Sequence, residues 1–368
     1  MALAKGYRPV TFDPALLDAL LARISPTGPA AEDAARARLD QLTKPRGSLG
    51  RLEEIAAKVA RVQGTDHPSV ERKAILLMAA DHGVVAQGVS PFPQEVTWQM
   101  VANFASGGAA INQLAASVGA ELRLHDVGVA ADTSALGDVE QIKVAPGTAD
   151  MSLGPAMTRQ QAAEAILAGA RAAERAIDDG VTLLGTGEMG IGNTTAAAAL
   201  TAAYCGVDPT VVVGPGTGLP ADALPHKAAV IARSLDVNDT GALDPLGVLA
   251  AVGGLEIAAL AGVMLGAAAR RTCVVVDGFI SGGAALAAVS LAPHAADYLF
   301  PSHRSAEPGH SVVLDHLGMQ PVLELDMRLG EGTGAALAMG IIDASCRMLS
   351  GMATFAEAGV AGAGEPSA

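Results

Sequence analysis

Residues 181–200 read VTLLGTGEMGIGNTTAAAAL. An apolar run ends in Gly185, Gly187 and Gly190, and a string of small helix-forming residues follows. Strand, tight glycine turn and helix in that order are the GxGxxG fingerprint of a dinucleotide site. Such a site also needs the helix to open within the turn, and an acidic residue at the end of the next strand, about 20 positions on. Asp208 lies at that distance, yet it precedes the next apolar run, TVVVG at 210–214, instead of ending it. The turn itself continues through Ile191-Gly192-Asn193-Thr194-Thr195 before the alanines begin, which places the helix start at Asn193 or Thr194. The unpaired N–H groups and hydroxyls of that first helical turn suit a single phosphate or carboxylate. The P-loop order GxxxxGK(S/T) does not occur.

The same order recurs on both sides of this stretch. Short apolar runs end in Gly or Asp turns in KAILLMAADHG (73–83), LRLHDVGV (122–129), PTVVVGPGTG (209–218) and CVVVDGFISGG (273–283), and VLELDMRLGEGTG (322–334) closes the series. Runs of four to six Val, Leu and Ile residues alternating with helices predict a parallel sheet covered on both faces. The expected fold class is therefore α/β, a Rossmann-like, doubly wound, mostly parallel sheet with ligands at the carboxyl ends of its strands. That domain is expected over residues 70–332. Residues 1–69, with Asp13-Pro14 opening a first helix, and 333–360 are expected to form a smaller helical lobe, and 361–368 a loose tail. Residues 248–269, VLAAVGGLEIAALAGVMLGAAA, are long enough to span a bilayer. Glu256 in their middle and the preponderance of Ala and Gly make them a buried helix of a soluble protein instead.

Bulk composition narrows the partners. The net charge of −14 repels a phosphate backbone, so no nucleic acid is expected. With 50% hydrophobic but only 3% aromatic residues, the core must be close-packed Ala, Val, Leu and Gly. Cys205, Cys273 and Cys346 form no CxxC and read as small hydrophobes of a reducing compartment. The N-terminus lacks a signal peptide's apolar region, and a cytoplasmic location is expected. Asp81-His82 and His303, Glu307 and His310 match no zinc spacing, and no metal or other cofactor is expected. Ser302 and Ser305 lie near His303, but no GxSxG elbow is present.

Four glycine turns stand out: 185–190, 214–218, 278–283 and 330–334. Glu188 and Glu331 each sit between glycines at an expected strand end. Either is a solvated loop carboxylate favoured by a helix dipole, or flanking glycine admits a substrate close to the backbone.

Seven stretches in this order then carry a resemblance: LTKPRGSLGRLE (42–53), ADHGVVAQGVSPFPQEVTWQMVANFASGGAAI (80–111), GTGEMGIGNTT (185–195), GPGTGL (214–219), DGFISGGAAL (277–286), HRSAEPGH (303–310) and LDMRLGEGTGAALAM (325–339). Together they resemble the nicotinate-nucleotide–dimethylbenzimidazole phosphoribosyltransferase family of cobalamin nucleotide-loop assembly, over residues 40 to 350 or so. The resemblance implies transfer of 5-phosphoribose from nicotinate mononucleotide to 5,6-dimethylbenzimidazole by a homodimer, giving α-ribazole 5′-phosphate and nicotinate with inversion at the anomeric carbon. It implies Glu331 as general base and Glu188 as a supporting carboxylate lining the base site.

Further substrate contacts are expected around these two. Gly187, Met189 and Gly190 flank Glu188; Leu329 and Gly330 precede Glu331; Gly278 and Ser281 come from the third turn. Asn193, Thr194 and Thr195, with Gly216, Thr217 and Gly218, are candidates for phosphate and ribose, or simply cap a helix. Lys227 either pairs with phosphate or the nicotinate carboxylate, or is an ordinary surface lysine. Phe92, Pro93, Gln94, Gln99 and Met100 belong to the segment that contributes the benzimidazole pocket in this family, while Phe92 and Trp98 are equally compatible with a core role. Two other classes stay open: a nicotinamide-dependent oxidoreductase, weakened by the placing of Asp208, and a non-catalytic small-molecule carrier.

Overall fold

The run KAILLMAA is buried at all eight positions, as a strand covered on both faces must be. It forms β1 (Lys73–Ala80) of a computed structural model that describes residues 14–361. The Asp13 cap and residues 362–368 of the expected tail lie outside the described residues. β2 (Ala120–Gly128), β3 (Val139–Gln141), β4 (Leu183–Met189), β5 (Cys273–Val276) and β6 (Leu299–Pro301) complete a parallel sheet in the order β3-β2-β1-β4-β5-β6. Strands are added to one side up to β3 and to the other side from β4, so the switch point lies between β1 and β4. In open parallel sheets the crevice beyond the strand ends at that point is where ligands bind. The register sets Glu188 of β4 beside Met78 of β1.

Three expectations change. PTVVVGPGTG holds no strand: Pro209–Val212 is one helical turn, because Asp208 accepts from the Thr210 N–H and Pro209 starts the turn. The 214–218 glycine turn therefore follows a helix and not a sheet strand. VLELD forms only β8 (Leu323–Glu324), paired with β7 (His303–Arg304) in a separate two-stranded sheet. Glu331 thus lies in a loop well past β8 and not at a strand end. Finally, residues 248–269 are not one helix. Pro245–Val252 and Leu255–Ala269 are parted by Gly253-Gly254, and Glu256 falls in the first turn of the second helix, fully buried. No helix among the described residues is long and apolar enough to cross a membrane.

Asn193–Cys205 begins at the expected residue, its start made by Gly192 at φ +93°. The N-terminal helices Ala30–Leu39 and Arg51–Gln63 share a small apolar cluster with Leu349, near the end of the Thr333–Gly351 helix. The beginning of that long helix belongs instead to the main core, through Ala335, Ala336 and Met339.

Small residues let helices meet at backbone distance. The Arg159–Asp178 and Leu255–Ala269 helices lie so close that a Cβ on Gly169 would stand 1.8 Å from the Ala259 carbonyl oxygen, and one on Gly262 1.9 Å from that of Ile166. Gly169→Ala is expected to force the helices apart and cost about 1–3 kcal/mol. Thermal unfolding checks it; a Tm equal to wild type would contradict it.

Candidate active site

The cavity at the switch point encloses about 620 Å³, the size of a substrate pocket. Glu188 enters it from the end of β4, Asp277 from the residue after β5, and Glu331 from the loop before the Thr333–Gly351 helix. That loop is held in an unusual shape. Gly330, Glu331 and Gly332 all have positive φ, +85°, +63° and +92°. A left-handed backbone at a glutamate costs about 1–2 kcal/mol, so neighbours must hold it. Asp277 does so: its carboxylate accepts from the Gly332 N–H at 3.2 Å and the Ala335 N–H at 3.0 Å, capping the helix. Thr333 adds a hydroxyl bond to the Gly330 carbonyl at 2.8 Å. A Cβ on Gly187 would lie 2.6 Å from the Glu331 carbonyl oxygen, and one on Gly330 would lie 2.2 Å from Glu188 Oε1. Glycine at both positions is what lets the two glutamates meet in one cavity.

Electrostatics separate the two carboxyls. Burial pushes Glu188 up to about 8, with help from the negative charges of Asp277 and Glu256; the Asn193 amide, hydrogen-bonded to Glu188 Oε2, and the Glu331 N–H oppose it. Burial also raises Glu331, opposed by the Ile111 N–H and aided by the Asp277 charge. The Ile111 N–H belongs to the first turn of the Ala110–Ser117 helix. At neutral pH Glu188 mostly keeps its proton, so only one of the pair need carry charge.

This has a measurable consequence. In the unfolded chain Glu188 loses its proton near the ordinary glutamate value of 4.5, whereas in the fold it holds it to about 8. Between those values the native state binds more protons, so this group's contribution to stability falls as pH rises. Glu188→Gln is therefore expected to raise Tm relative to wild type at pH 8 and to leave it unchanged at pH 4. A difference that does not vary with pH would refute the shift.

The rest of the cavity divides into an apolar wall and a polar end. Val96 and Met100, one turn apart on the Val96–Ala105 helix, form the wall with Phe92, Met189 and Leu329. Trp98 and Gln99 lie on that helix's exposed side, and neither Phe92, 45% exposed, nor Trp98, 41% exposed, is a core residue. At the polar end Asn193 and Thr194 open the helix beside Gly216 and Thr217. Lys227 stands behind them, buried, its Nζ donating to Thr194 Oγ1 and to the Gly214 carbonyl, each at 3.0 Å. Burial lowers its pKa to about 8, against the pull of Glu307. It is not the surface lysine that the sequence also allowed. Glu307 accepts from the Gly216 N–H at 2.9 Å, and Arg328 donates to the Gly216 carbonyl at 2.9 Å.

Of the residues singled out from sequence, Gly190, Gly278, Ser281 and Gly330 also line the cavity. Pro93, Gln94, Gln99, Gly187, Thr195, Gly218 and Lys227 do not. Gln99 faces out because its helix turns it away from Val96 and Met100; Gly187 lies under the Glu331 carbonyl; Lys227 is covered by Thr194. Thr195 is wholly buried. Asp277, His303, Ser305, Glu307 and Arg328 line the cavity without having been expected to. Each lay inside a quoted motif, but an Asp before Gly or an Arg before Leu carries no local signal of its own. Asp208, the acidic residue a dinucleotide site would need, is exposed and occupied with Thr210.

A family profile described as phosphoribosyltransferase matches residues 24–360. The nicotinate-nucleotide–dimethylbenzimidazole phosphoribosyltransferase of Chloroflexus aggregans is 55% identical over 94% of this chain and 98% of its own length. The chain belongs to the nicotinate-nucleotide–dimethylbenzimidazole phosphoribosyltransferase family. The Geobacter sulfurreducens enzyme of the same name is 51% identical over 94% of this chain and 98% of its own length. The crystal structure of CobT from Thermus thermophilus superposes with a TM-score of 0.87 at 50% identity, covering 90% of this chain and 99% of that one. The parallel α/β fold is thus that of a phosphoribosyltransferase of this family, and GTGEMG is not a dinucleotide fingerprint here.

Proposed function

We propose that this chain moves the 5-phosphoribosyl group of nicotinate mononucleotide to 5,6-dimethylbenzimidazole, giving α-ribazole 5′-phosphate and nicotinate in cobalamin nucleotide-loop assembly, with Glu331 as the general base. One observation carries the assignment of roles: Glu331 and Glu188 share a cavity whose wall is apolar and whose far end is a helix N-terminus backed by Lys227. A flat aromatic ring fits the wall of Phe92, Val96, Met100 and Met189, and a sugar phosphate suits the N–H groups at Asn193 and Thr194.

The chemistry asks for little else. The pyridine nitrogen of the mononucleotide is already cationic, so nicotinate departs without being protonated. As one benzimidazole nitrogen bonds to the anomeric carbon, the N–H of the other becomes acidic, and Glu331 takes that proton. Glu188, neutral near pH 7, can donate a hydrogen bond without adding a second negative charge. The apolar wall limits water, which would otherwise compete as acceptor. The working form is proposed to be a cytoplasmic homodimer without a nucleic-acid partner, and light scattering checks the dimer. The decisive assay is nicotinate release from its mononucleotide, which should require an added benzimidazole. Release without one, or an absorbance change with a nicotinamide cofactor, would overturn the assignment.

A further inference from the structure

Beneath the 190–193 turn lie two ionisable side chains that this chemistry does not use. His82 follows β1 by two residues, and Glu256 opens the Leu255–Ala269 helix. Their side chains are 1% and 0% exposed, and His82 Nε2 lies 2.6 Å from Glu256 Oε1. Neither lines the cavity.

Glycine makes room for the pair on two sides. A Cβ on Gly254 would stand 2.3 Å from His82 Cε1 and 2.8 Å from Glu256 Oε2. The Gly253-Gly254 break that splits the apolar segment is therefore the slot the imidazole fills. A Cβ on Gly190 would stand 2.4 Å from the Ala80 carbonyl oxygen, 3.2 Å from Glu256 Oε1 and 3.3 Å from His82 Cδ2. The turn rests directly on β1 and the pair. From there the connection to the cavity is short. The Gly190 carbonyl accepts from the Asn193 N–H at 3.0 Å, and the Asn193 amide donates to Glu188 Oε2. The Ile191 N–H is tied to Thr97 Oγ1 at 3.1 Å, on the helix that carries Val96 and Met100.

Stability gives no reason for charge at this depth. A buried ion pair roughly cancels its own desolvation, and apolar residues of similar volume serve as well or better. Glu256 Oε2 is moreover left without a partner, a further penalty. We propose that His82 and Glu256 are positioning residues, a buried pair that sets the height of the 190–193 turn and, through Asn193, holds the Glu188 carboxyl in the cavity. Burial disfavours the imidazolium, but the charge and hydrogen bond of Glu256 outweigh it and Asp81 adds to them, so the His82 pKa is raised. Besides Glu256, the charged and polar groups facing Glu188 are Asp277, the Asn193 amide and the Glu331 N–H.

The assay rests on the transferase assignment above. Wild type, His82→Ala and Glu256→Gln are compared for kcat, KM, pH profile and Tm. His82→Ala lets the turn sink, and kcat should fall by about 100-fold, the effect of a misplacement near 1 Å, with KM for the mononucleotide unchanged. Glu256→Gln keeps an oxygen for His82 and should retain most of kcat. Folded His82→Ala with wild-type kcat, its loss confined to Tm, would overturn the proposal, as would Glu256→Gln losing as much kcat as His82→Ala. If His82→Ala does not fold, His82→Asn is read by the same criteria. A wild type that releases no nicotinate counts against the transferase assignment and not against the pair.

Discussion

Glu331→Gln is expected to lower kcat by about 10²–10⁴-fold, the usual contribution of a positioned general base. That is about 2.7–5.4 kcal/mol of transition-state stabilisation. KM for the mononucleotide should change little, because the residue acts on the incoming ring and only as the new bond forms. Burial and the Asp277 charge raise the Glu331 pKa, although the Ile111 N–H opposes them. As pH falls through that raised value the carboxylate takes up a proton and can no longer accept one. Wild-type kcat should therefore drop on the acid side, with a limb above the ordinary glutamate range, and glutamine should abolish that limb together with the rate. Retained rate, or a surviving acid limb, would remove Glu331 from the chemistry. The fold should not suffer, since glutamine keeps the size of the side chain and Glu331 Oε2 has no partner to lose.

Asp277→Ala is also expected to have a large effect, although Asp277 need not act on the substrate chemically. Its two oxygens hold the Gly332 and Ala335 N–H groups, and so the left-handed loop that presents Glu331. Alanine leaves both buried donors unpaired, which costs about 1–3 kcal/mol each. The freed loop should misplace the base enough to lower kcat by about 100-fold. Asp277→Asn separates the two roles of the residue. It keeps one acceptor oxygen and loses the charge that raises Glu188 and Glu331. Less negative charge nearby means lower pKa values, so the acid limb of the kcat profile should shift toward lower pH. A Tm loss with an unchanged kcat and pH profile would reduce Asp277 to a structural cap.

Much of this was legible in the chain itself, and the reasons are local. AILLMAA after Lys73 and CVVV are unbroken apolar runs, so their burial on both faces, and hence the parallel sheet, follows from residue type. Asn193 after Gly192 marks a helix start because only glycine readily takes the backbone shape that precedes it. TVVVG misled because three valines promise a strand, while Asp208-Pro209, which starts a single helical turn over Pro209–Val212, acts through one side-chain cap. β3, β6 and β7 had no visible signal, since two or three residues are too few to show a period.

The sequence alone determined which residues can do chemistry: two glutamates between glycines, a hydroxyl-rich helix start, and motifs in one order that mark the family. Only the tertiary structure decided which of them meet. Glu188 and Glu331 are 143 positions apart in the chain, and Asp277, His82 and Glu256 act through partners that no local pattern points to. The physical reason is that burial, hydrogen-bond geometry and pKa depend on neighbours in space. Those neighbours are set where β1, β4 and β5 end together, not by spacing along the chain.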